Sequence, residues 1–115
     1  EGFVMSDIML KTEKLVEKKK WEKLKNKFLY GNDEARLALA AACGASDTDE
    51  ACNILISLLH DENAQVQLTA VKSLGKIGDD HATAQLQWLL SQTSEDKKEL
   101  IAAIHDAIKH VKNKQ

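Results

Sequence analysis

The sequence predicts an all-α fold, an α-solenoid of three helical hairpins with a candidate N-terminal capping helix, and three observations carry that prediction. The first is an internal repeat. FLYGNDEARLALAAACGASD, beginning at Phe28, recurs thirty-one residues later as LHDENAQVQLTAVKSLGKIG. Phe28 pairs with Leu59, Leu37 with Leu68, Cys43 with Leu74 and Gly44 with Gly75 without a gap, and Leu59 steps on to Leu90. A period of this length, built of two helical segments, marks a stacked solenoid whose units bury a core only against their neighbours. The second is composition: proline is absent, five glycines occur in 115 residues, and strong helix formers fill most other positions. The third is the placement of capping residues ahead of apolar stripes, at the start of 47–60 and at Asn63.

The elements follow in order. Residues 1–18 read as an N-terminal extension or capping helix. Two periods back, Ile8 pairs with Ala70 and Leu15 with Ile77, so residues 6–16 fit a leftover inner helix over the open end of the stack. A single long helix through EKKKW competes with that reading, and the break is favoured. Residues 19–115 form the repeat domain, with repeats over about 19–46, 47–78 and 79–112. Outer helices are expected near 19–29, 47–60 and 80–91, the second with Ala51, Leu55, Leu58 and Leu59 along one side. Inner helices are expected near 33–45, 63–77 and 95–112. Asn63 caps the second of these, Val66, Ala70, Leu74 and Ile77 form its buried stripe, and Gly75 and Gly78 permit close approach and a stop. In the third hairpin SQTSED lengthens the internal turn by two residues before Leu100, Ala103, Ile104, Ala107 and Val111 resume the stripe.

Composition narrows the class of protein. The length suits one domain. No apolar run approaches the roughly 20 residues a bilayer requires. Residues 1–10 lack the parts of a secretory signal, so a soluble, cytoplasmic protein with reduced core cysteines at Cys43 and Cys52 is expected. The net charge of −2 conceals an asymmetry. Eight lysines face three glutamates between Lys11 and Lys27, whereas Phe28 to Asp96 carries eleven acidic residues against Arg36, Lys72 and Lys76. The lysine run reads as a solvated helix face with Glu13, Glu17 and Glu22 as spaced partners.

With these residues in place, the stretch LLHDENAQVQLTAVKSLGKIGDDHATAQLQWLL resembles the HEAT repeat, in particular the short variety found in phycobilin lyase subunits. Asp61, Val66, Ala70, Leu74, Gly75, Ile77, Gly78 and Asp79 meet the family pattern. The resemblance is specific over residues 51–90, fair over 19–50 and weak at both ends. It implies a right-handed stack that works as a non-catalytic protein–protein interaction scaffold or adaptor, taking a peptide or helix on its concave face. The alternative it implies is an accessory subunit of an enzyme, lyase-like. Where the family has arginine after the valine this chain has Gln67, and repeat one alone keeps it as Arg36. The ladder of Asp and Arg between repeats is therefore expected to shrink to Arg36 with Asp61, leaving the stack to rely on apolar burial.

No residue set announces chemistry, so no catalytic, cofactor or metal site is expected. His105 and His110 are five apart, around the helix from one another, and His60 and His81 sit near helix ends. A zinc site prefers ligands at i and i+4 with a third group. Some HEAT-like relatives bind iron through His-Glu pairs, but this chain has no His-Glu dipeptide. Nucleic acid is disfavoured, because the lysines crowd one end and arginine is almost missing.

The expected binding surface is the exposed side of the inner helices, for a partner that is another protein or peptide. It comprises Glu34, Leu37, Ala38, Ala41 and Ala45 in repeat one, Gln65, Leu68, Thr69, Lys72 and Lys76 in repeat two, and Lys98, Ile101, Ala102, His105 and Lys109 in repeat three. Leu37, Leu68 and Ile101 are expected to form an apolar row, with lysines toward repeat three, suited to an amphipathic segment with an acidic end. Trp88, which replaces the polar Asn26 and Ser57 of the other repeats, is the secondary candidate, and Trp21 reads as core. The last helix, with Ile101 and Ile108 beside its stripe, either packs sideways on its own hairpin or serves self-association.

Overall fold

The structure is a computed structural model that describes residues 2–114, with side chains from Asp7 onward. Among the described residues seven helices follow one another: α1 (Gly2–Glu17), α2 (Trp21–Leu24, continued by a π-helical turn over Lys25–Leu29), α3 (Asp33–Ala42, closed by a 3₁₀ turn over Cys43–Ala45), α4 (Asp49–Leu58), α5 (Ala64–Ile77), α6 (Asp80–Gln92) and α7 (Lys98–Lys114). Among the described residues there is no strand.

Local chemistry sets the boundaries. The side chains of Asn32, Thr48, Asn63 and Asp79 each accept hydrogen bonds from the first-turn amides of the helix that follows. Each thereby satisfies donors that a helix start leaves unpaired. At the far end of α5 the Gly78 amide donates to the Leu74 carbonyl at 2.7 Å, and the Lys114 ammonium donates to the Lys76 carbonyl at 2.6 Å. Between α1 and α2 the chain turns without a glycine. Lys19 adopts φ 57°, and the amides of Lys19 and Lys20 donate to the carbonyls of Val16 and Leu15 at 2.9 Å each. This is a Schellman stop in which lysine holds the left-handed position usually given to glycine. The lysine-rich corner does not pair with its glutamates as the spacing suggested: among the described residues the ion pairs are Arg36 with Asp33 and Arg36 with Asp61. Spaced charges on an exposed helix gain too little to hold two long side chains together.

The inner helices pack in sequence order, α1 on α3, α3 on α5 and α5 on α7, with α4 behind α5 and α6 behind α7. The expected stripes are buried: Ala51, Leu55, Leu58 and Leu59 in the second outer helix, Val66, Ala70 and Leu74 in α5, and Ala103, Ile104, Ala107 and Val111 in α7. Ile77 is half-buried. The central helix buries more than its stripe. Leu68, Val71, Ser73 and Gly75 are also covered, because α5 is clasped by α3, α4 and α7. Leu100 and Ile108 of α7 pack onto the core of their own stack.

Candidate interaction face

Most of the residues expected on the binding face are open to solvent on the inner helices. Glu34, Ala41 and Ala45 on the first inner helix and its 3₁₀ turn, Gln65, Lys72 and Lys76 on α5, and Lys98, Ala102, His105 and Lys109 on α7 are exposed, while Leu37, Thr69 and Ile101 are half-buried. Two predicted members do not belong to it. Ala38 has 0% exposure and Leu68 has 9%. Alanine's methyl is too short to clear the helices flanking α3, whereas Thr69 at the equivalent position stays half exposed. Leu68 lies under the start of α7, where it and Leu100 line a hollow of about 420 Å³ together with Asp96 to Glu99. The apolar row of Leu37, Leu68 and Ile101 is therefore sunk at its centre, and a charge placed at Leu68 would be buried.

One member was missed. Leu10 of α1 is 57% exposed, and it stands two periods before Lys72, in the register that pairs Ile8 with Ala70, which the sequence reading applied only to the covered side of the helix. With it, the row Leu10, Ala41, Lys72, His105 crosses four adjacent helices, apolar at one end and basic at the other. Lys72, Lys76, Lys98 and Lys109 have no ion-pair partner among the described residues.

A second polar region lies where outer helices turn into inner ones. The Arg36 guanidinium donates to both carboxylate oxygens of Asp61 at 2.7 and 3.2 Å, to Asp33 at 2.6 Å and to the Gly31 carbonyl at 2.7 Å. The Asn63 side-chain amide adds a bond to Asp33 at 3.0 Å. Hydrogen bonding by Asp61 holds the Arg36 pKa above its ordinary value. Desolvation pushes the Asp61 carboxyl upward, but the bonds from Arg36 and the Asn63 amide outweigh it and leave Asp61 below the usual carboxylate range. In repeat two Gln67, in place of arginine, turns back to the Leu59 carbonyl at 2.9 Å.

Trp88 is 53% exposed and meets the His60 ring edge-on, centroids 5.3 Å apart. Trp21 is half-buried against the core. Cys43 and Cys52 are free thiols, and burial pushes Cys43 up to about 12 and raises Cys52 as well, so neither is poised as a thiolate. His81, His105 and His110 are exposed singly. Among the described residues no three His, Cys, Asp or Glu side chains come together to hold a metal ion, and no helix is long and apolar enough to cross a membrane.

Comparison with curated proteins and with solved structures found no match. A sequence profile described as HEAT repeats matches residues 24–110, from α2 into the last turns of α7. The matched stretch spans all three hairpins and the repeat of thirty-one residues, and the chain belongs to the HEAT repeat family.

Proposed function

We propose that this chain is a non-catalytic interaction module that holds a peptide or helix of another protein across the exposed sides of its inner helices. The family is generally one of protein-interaction scaffolds. The observation that carries the reading is the graded row from Leu10 and Ala41 to Lys72, Lys76, His105 and Lys109, with half-buried Leu37, Thr69 and Ile101 beside it. Packed helices lie roughly 8–10 Å apart, so three steps across the row cover about 25–30 Å. A helix of some 17–20 residues reaches that far at 1.5 Å per residue. Its apolar side suits the Leu10 end, and its acidic end suits the lysines, whose charges nothing in the described chain neutralises.

The experiment is the double variant Lys72→Glu, Lys109→Glu. Both sites are exposed, so stability should stay within about 0.5 kcal/mol of the parent, while cross-linked recovery of the partner seen with the parent is lost. A folded double variant that keeps the partner at parental yield would refute the reading.

A further inference from the structure

We propose that the edge where Tyr30, His60 and Trp88 meet is a second docking surface, which takes an arginine-bearing segment of another protein. Three aromatic rings, one from each hairpin, follow one another there. Tyr30 and His60 line the same hollow, and Trp88 meets His60 edge-on at 5.3 Å. None of the three occupies an equivalent place in the repeat, since Tyr30 corresponds to Asp61, His60 to Leu29 and Trp88 to Ser57. The row is therefore not a by-product of the period. Tyr30 is 77% and Trp88 53% exposed, and with Leu10 they are the large apolar side chains left open among the described residues.

The chemistry of the hollow selects its occupant. It measures about 480 Å³, with an apolar floor of Leu29 and Leu58. The cation in its wall, Arg36, is committed to Asp33, Asp61 and the Gly31 carbonyl. Glu62, also in the wall, is exposed and makes no hydrogen bond or ion pair among the described residues. With Asp61 and Glu62 against Arg36, the wall keeps a net negative charge. An acidic segment is repelled there, and an apolar one would cover the Glu62 carboxylate without pairing it. A guanidinium does both things the site offers: it stacks flat on tyrosine or tryptophan and forks onto a carboxylate. Exposed tryptophan and tyrosine facing arginine is also the pairing in which interface energy concentrates.

The test uses the variant Trp21→Phe, in which Trp88 alone reports by fluorescence. The probes are three flexible Gly/Ser peptides bearing two arginines, two lysines or two leucines. The arginine peptide should shift Trp88 emission saturably and bind more tightly than the other two. Its binding should weaken about three- to thirty-fold in Tyr30→Ala and in Glu62→Gln, the range a cation–π or charge contact covers. Both sites are exposed, so circular dichroism should match the parent. Asp49→Asn, an exposed acid at the start of α4, should leave binding unchanged. No saturable shift at about 1 mM arginine peptide, equal binding of the lysine or leucine peptide, or equal weakening by Asp49→Asn would overturn the proposal. So would a concentration-dependent dimer, seen by sedimentation and lost in Trp88→Ala, because a second copy would then own the edge.

Discussion

Two seams between neighbouring inner helices, α3 with α5 and α5 with α7, are built from the same repeat and held in different ways. Between α3 and α5 the contact is polar at one end, where Arg36 spans Asp33 and Asp61 and Asn63 closes the circuit. Gly44 there faces the side chain of Ser73. Between α5 and α7 no ion pair forms among the described residues. Gly75, the repeat partner of Gly44, instead lets the backbones meet: a Cβ at Gly75 would stand 2.8 Å from the Ala107 Cα. Where repeat one spends an arginine on its neighbour, repeat two has Gln67 turned inward and relies on close apolar contact. The seam that carries an ion pair is thus the one whose repeat position holds Arg36, and the seam without one has Gln67 there.

Leu74→Ala should cost most, because α5 is common to both seams. Truncating this fully buried side chain is expected to remove about 2–5 kcal/mol in urea unfolding. A midpoint equal to the parent's would place Leu74 outside the core of either seam.

Glycine substitutions separate the seams next. Gly75→Ala drives a methyl into the backbone of α7, and such overpacking costs about 1–3 kcal/mol. Gly44→Ala meets chiefly the Ser73 hydroxyl, 2.7 Å from the added carbon, and rotation of that hydroxyl should keep its cost below about 1 kcal/mol. If Gly44→Ala proved the more damaging, the α5–α7 seam would not be the tighter one.

The effect of charge falls between those of the two glycines. Arg36→Gln removes bonds to two carboxylates and should cost about 1–2 kcal/mol at neutral pH. Its signature lies in acid. The Asp61 carboxyl titrates lower in the folded protein than in the unfolded chain, so its contribution is complete above the unfolded value near 4 and fades as pH falls through the lower folded value. The parent should therefore lose more stability than Arg36→Gln between neutral pH and about pH 3. Parallel losses in parent and variant would remove Asp61 from the α3–α5 seam.

The periodicity alone fixed much of this protein. Thirty-one-residue register, helical period and side-chain caps are local properties, so the hairpins, the cap at Asn63 and the stripes of α5 and α7 could be read before any helix was placed, while the Arg36–Asp61 pair was implied by the resemblance to HEAT repeats. Most of the inner-helix face followed from the same register. Depth did not, because it depends on what lies over a residue from elsewhere in the chain. Leu68 is covered by the start of α7, which the longer turn after α6 repositions, and Ala38 by the helices flanking α3. The left-handed Lys19 was equally hidden, since lysine carries no preference for that conformation and only the docking of α1 on α3 and α2 demands it. The meeting of Tyr30, His60 and Trp88 was decided by tertiary structure as well: they sit at three different repeat positions, and stacking of the hairpins alone brings them to one edge.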